Sequence, residues 1–158
     1  MKITDVLVSQ HTFLRTMFDI TTRALWETET SAKVAAFARL AESLVAGHVE
    51  TEESVFFRPL DATLKEKGRL SEFYSTHKEC IALLKEPQRP MAVSEGRSRL
   101  LLAFHVLRTH FQDEERVVIP LANATFRPEA METLGRVWLQ LHAHRETPPA
   151  QQTSMMPK

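Results

Sequence analysis

Cysteine is all but missing from this chain: Cys80 is the only one in 158 residues. One thiol excludes an intrachain disulfide, a CxxC redox pair and a cysteine-based zinc cluster, and it fits a reducing compartment. Charge of one sign is missing too. Twenty basic residues balance twenty acidic ones, so no overall field draws the chain to nucleic acid or anionic lipid. No apolar run approaches the ~18 residues of a membrane span, and the opening MKITDVLVSQ has no apolar core of signal-peptide length. A cytoplasmic protein with neither a membrane nor a nucleic-acid partner is expected. Glycine is scarce, at four residues, and no segment alternates as a strand would. Helix is what remains.

The apolar spacing predicts a first helix over residues 3–27, with Val6, Leu7, Phe13, Leu14, Met17, Phe18 and Leu25 on its apolar side. TETSAK (28–33) reads as a polar turn with Thr30 or Ser31 as N-cap. A second helix follows to about residue 57, where Pro59 disfavours further helix. A charged connection, 61–68, leads to a third helix over 69–85. A fourth begins within 92–97 and ends at 119, before Pro120. Pro128 fits the first turn of a shorter fifth helix reaching about 144. The fold class is thus all-α, an up-down-up-down four-helix bundle with a short C-terminal fifth helix. The domain is expected to span 1–146, and TPPAQQTSMMPK (147–158) reads as a disordered tail.

Two stretches echo each other: HVETEESVFFRPL at 48–60 and HFQDEERVVIPL at 110–121. On a helix, His48 and Glu52 share a face, as do His110 and Glu114, because successive turns stack every 3.6 residues. In both cases the face is otherwise apolar, with Leu44, Val45, Val55 and Phe56 around the first pair and Val106, Leu107, Val117 and Val118 around the second. His11 and His77 are similar polar inserts in the first and third helices. In an up-down bundle all six side chains fall in one slab centred ~10 Å from one end.

A single histidine on an apolar face is usually a hydrogen-bonded core residue, and a lone His-x-x-x-Glu pair is commonly a surface contact. Four inward histidines and two inward glutamates at one height, with Arg15 the one basic residue near those faces, have no such explanation. Only a cation with many bonds satisfies them. Six ligands exceed the needs of one tetrahedral zinc, and the imidazoles disfavour magnesium and calcium. Two metals sharing two bridging carboxylates would each receive two histidines and two carboxylate oxygens, a mixed shell suited to redox iron or manganese. No Glu-x-x-His tetrapeptide occurs, which disfavours the ferritin-like di-iron class.

The order His11, His48–Glu52, His77, His110–Glu114, with its two proline-terminated Glu-Glu helices, resembles the hemerythrin-like, or HHE cation-binding, domain over about residues 3–121. The resemblance implies two Fe ions in an oxo- or hydroxo-bridged di-iron centre, held by His11, His48, Glu52, His77, His110 and Glu114, with Glu52 and Glu114 bridging. Oxygen-carrying hemerythrins have a second histidine one turn after the first on the third helix, where this chain has Ile81. They also have a bridging aspartate on the fourth, where it has Glu114. The centre is expected to be one nitrogen ligand poorer and more open, which leans away from simple oxygen carriage. The cysteine pair of the iron-sulfur repair branch is also missing.

The leading expectation is a protein that binds or senses O2, NO or peroxide, with Phe56, Phe73, Phe104 and Phe111 forming an apolar surround. A di-iron enzyme for peroxide disproportionation or NO reduction is the alternative, and it would need an acid-base group such as Tyr74 or Glu53. A metal- or redox-responsive interaction module, speaking to a partner through the last helix or the tail, is a third. Tyr74 and Cys80, one turn before and after His77, read either as core residues or, for Tyr74, as an outer donor or weak ligand. Glu53 and Glu115 sit ~100° round from their neighbours, solvated or behind the ligands. His105, His142 and His144 are not assigned to the site.

Overall fold

Buried positions in helix α1 (Ile3–Trp26) recur every three or four residues, at Ile3, Val6 and Leu7, His11, Leu14, Phe18, Thr21 and Leu25. That is the spacing of one helix face. Phe13 departs from the sequence reading: it points outward and is exposed, a step of ~100° from Leu14. The computed structural model describes residues 1–145, with side chains to residue 142, so the expected tail at 147–158 lies outside the described residues. Helix α2 (Ser31–Glu52) opens on Thr30, whose hydroxyl accepts a hydrogen bond from the Lys33 N–H at 3.3 Å. That supplies one donor of the first turn with the partner it otherwise lacks.

Neither proline ends its helix where the sequence reading stopped it. Helix α2 passes through a π-helical stretch, Glu53–Phe57, into α3 (Arg58–Thr63). After α4 (Ser71–Lys85), helix α5 (Val93–Asp113) does the same through Glu114–Val118 into α6 (Ile119–Thr125). In an ordinary α-helix a proline ring collides with the carbonyl four residues back. The wider turn carries Arg58 N–H to the Glu53 carbonyl and Ile119 N–H to the Glu114 carbonyl, five residues back, and the chain winds on past the ring. Each π stretch ends two residues before its proline, so its start follows the proline and not the glutamates. It begins at the second glutamate of the first echo and at the first glutamate of the second.

The core is in two parts. One cluster contains Leu14, Val45, Cys80, Leu107 and Phe111, and the other Leu7, Val55, Phe57, Leu70, Val118 and Trp138. On α1 and α4 the second cluster comes before the histidine and the first after it. On α2 and α5 the order reverses, Phe111 beside His110 being the one exception among these residues. That reversal is the up-down-up-down alternation, and it leaves a polar layer between the two apolar ones. Helix α7 (Pro128–Arg145) is no loose appendage: it packs along α1 and closes the second cluster with Met131 and Trp138. No strand occurs among the described residues, and no helix there is long and apolar enough to cross a membrane.

Candidate metal centre

The polar layer consists of His11, His48, Glu52, His77, His110 and Glu114, all buried. They form two triples, His11–His48–Glu52 and His77–His110–Glu114, whose ligand atoms lie within 4.8 Å of one another inside each triple. The carboxylates tie the triples together. Glu114 turns Oε1 to Nε2 of His110 at 2.9 Å and of His77 at 3.2 Å, while its Oε2 lies 3.3 Å from Nε2 of His11. Glu52 Oε2 stands 3.4 Å from His77 Nε2 and 3.8 Å from His48 Nε2.

Proximity is not satisfaction. His11 Nε2, both nitrogens of His48, Glu52 Oε2, His110 Nε2 and Glu114 Oε2 have no hydrogen-bond partner. An unpartnered buried polar group costs on the order of 2–7 kcal/mol, and six in one layer is a cost that packing cannot explain. Imidazole nitrogens and carboxylate oxygens converging on the same space are the donor set of a divalent or trivalent transition metal. The residues fit such ions.

Two glutamates outside the triples fix two of the histidines. His77 Nδ1–H donates to Glu53 Oε1 at 2.8 Å, and His11 Nδ1–H donates to Glu115 Oε1 at 3.0 Å. An imidazole so held keeps its proton at Nδ1 when neutral, which turns the Nε2 lone pair to the layer, the tautomer that metal ligation requires. Arg15 holds Glu115 through both guanidinium nitrogens, at 2.8 and 3.2 Å. The Glu115 carboxyl therefore stays below its usual range: partial burial raises it, but Arg15 and His11 together outweigh that.

The layer is electrostatically strained without a cation. Burial, with His11 beside it, lowers the His48 pKa to about 3. Burial and the Glu114 charge push Glu52 up to about 8. Burial opposes charge on His77 as well, but the hydrogen bond to Glu114 and the nearby Glu52 carboxylate prevail and raise it to about 10. Burial acts on Glu114 too, yet His110 and His77 hold its carboxyl well below the ordinary range. Protons thus stand where a cation's positive charge would otherwise balance two buried carboxylates.

Aromatic rings enclose the layer, but not all those the sequence reading named. Phe111 stacks on His11 (centroids 4.4 Å, 11°) and touches His48 and His110. Phe57, not Phe56, stacks on His77 at 5.3 Å. Phe104 packs one layer away, on Phe18. Tyr74 meets Phe57 edge-on, and Cys80 belongs to the first apolar cluster, where burial pushes its thiol up to about 12. Trp138 is a site neighbour the sequence reading did not find; its ring meets His48 at 5.7 Å. The signal was present in the Met131, Leu134, Trp138 spacing of the last helix, which marks an apolar face. Two cavities reach the layer from outside. One of about 570 Å3 ends at His110, and one of about 610 Å3 ends at His48.

The sequence model of the hemerythrin HHE cation binding domain matches residues 2–122. The chain belongs to that family. No curated protein and no solved structure matches it.

Proposed function

We propose that this hemerythrin-family chain holds two iron ions, one in each His-His-Glu triple, and binds or senses a small neutral oxidant: O2, NO or peroxide. The observation that carries the reading is Glu114, whose two oxygens turn to histidines of different triples. A carboxylate so placed can be shared between two ions, and Glu52, in contact with His48 and His77, supports a second shared position. Iron bound there supplies ferrous–ferric redox chemistry and coordination positions left over by the protein ligands.

The chain's own residues do the rest. Glu53 and Glu115 hold His77 and His11 in the ligating tautomer. Phe57, Phe111 and Trp138 wall the layer with hydrocarbon, which admits small uncharged molecules and disfavours ions. Ile81, one turn after His77, packs into the first apolar cluster and brings hydrocarbon where oxygen carriers place another nitrogen. That favours open coordination and response to a ligand over simple carriage.

The test is metal content by elemental analysis, with optical spectra recorded anaerobically, then after air, peroxide or NO. About two irons per chain, with near-ultraviolet charge-transfer bands that one of the additions changes, supports the reading. A single zinc, or no metal with a silent spectrum, overturns it.

A further inference from the structure

His48 is held differently from two of its counterparts. His11 and His77 are pinned through Nδ1 by Glu115 and Glu53, whereas neither nitrogen of His48 has a hydrogen-bond partner. Its ring orientation therefore rests on packing. Three rings meet it edge-on: His11 at 5.2 Å and 70°, Phe111 at 5.7 Å and 80°, and Trp138 at 5.7 Å and 62°. The first two belong to the bundle itself. Trp138 comes from α7, outside the residues that the family model matches.

Trp138 is itself firmly seated. It is fully buried, and the His142 ring stacks on it at 5.2 Å and 8°, with His142 Nδ1–H donating to the Trp138 carbonyl at 3.2 Å. Gly135, one turn earlier, lets α7 approach the start of α1 so closely that a Cβ there would lie 2.5 Å from the Met1 carbonyl oxygen. The close approach sets the depth to which Trp138 reaches.

We infer that Trp138 is a positioning residue for the His11–His48–Glu52 triple: the α7 indole replaces, by edge-to-face packing, the carboxylate hydrogen bond that His48 lacks. The inference rests on the two-ion reading above. It makes α7 part of the metal site, acting on one triple and not the other.

The experiment is a cobalt(II) titration of the metal-free full chain, followed by the optical bands of the bound ion, with helix content checked by circular dichroism. The wild type is expected to fill in two steps, one of which His48→Ala abolishes. Trp138→Leu, which keeps apolar volume without the ring, is expected to weaken that step ~10-fold, the usual scale for losing the support behind a ligand, and to spare the other step. Trp138→Phe restores it. Gly135→Ala, which touches no ligand and lifts α7, weakens the same step and carries the test if Trp138→Leu does not fold. Unchanged binding, or equal weakening of both steps, overturns the inference while leaving the two-ion reading in place. A wild type that never takes up two cobalt ions brings down both.

Discussion

Glu53 accepts a hydrogen bond from His77 Nδ1 at 2.8 Å, and the neighbouring Glu52 faces the other side of the same imidazole, 3.4 Å from Nε2. Adjacent glutamates thus approach one ring from both of its nitrogens. Successive helical residues differ by ~100°, so two glutamates in a row can divide the two nitrogens of one ring between them. The second echo repeats the division across Glu114 and Glu115 on His11.

Glu53→Gln and Glu115→Gln are therefore expected to lower affinity for iron or cobalt ~10-fold each, because an amide does not hold Nδ1–H as firmly and the tautomer is released. Both positions are only partly buried, so melting of the metal-free chain should barely move. Metal titration beside a melting curve separates the two. Equal loss of fold and affinity would show the glutamates to be structural alone.

Glu114→Ala removes a carboxylate that contacts His11, His77 and His110 at once. Breaking a buried ionic set from one side costs about 3–5 kcal/mol, and metal uptake should be lost with it. Denaturant unfolding and elemental analysis check the two effects. Full metal retention would mean that Glu114 is not a ligand.

Stability of the metal-free chain should respond to pH in an unusual direction. Glu52 sits near 8 when folded against a reference of 4.5, and His77 near 10 against 6.5. A group raised by folding stabilises below its unfolded value and loses that contribution as pH climbs through the folded one. Glu52 therefore weakens the metal-free bundle from 4.5 to 8 and His77 from 6.5 to 10, so the two add between 6.5 and 8 and a net loss is expected there. His48 works oppositely: lowered from 6.5 to about 3, its contribution is present above 6.5 and lost on acidification. Bound cations replace the protons, so metal should raise the melting temperature more at pH 8 than at 6.5 and release protons on binding. A stabilisation by metal that is flat or falls with pH over that interval contradicts the assignment of protons to the layer.

Cys80 should resist thiol reagents in the folded chain. Its side chain is buried among hydrocarbon and its thiol is pushed up to about 12, so almost no thiolate forms at neutral pH. A chromogenic disulfide reagent should react at a useful rate only in denaturant. Rapid native labelling would place Cys80 at a surface the structure does not show.

Much of this site is visible in the sequence because it is written in helical periodicity. His48 and Glu52, His110 and Glu114 interrupt apolar stripes at i and i+4, and no other reading satisfies so many inward polar groups. The all-helical class follows from the same stripes and from the scarcity of glycine. Counting along the helices also places the six residues at one height.

What periodicity cannot carry is what happens where the helix is not α and where distant faces meet. The prolines look like stops because in α geometry the ring strikes the carbonyl four residues back; the folded chain avoids this by widening one turn, and only the structure shows that Glu114 opens such a turn while Glu52 precedes one. Glu53, Glu115 and Trp138 have ordinary sequence contexts. Their roles arise from His77, His11 and His48 on other helices, 24, 104 and 90 residues away in the chain. The sequence determined by itself which six polar residues interrupt the apolar stripes and that helices would present them. The tertiary structure decided which carboxylate faces which imidazole, because that depends on the rotation of one helix against another, to which no spacing within a single helix is sensitive.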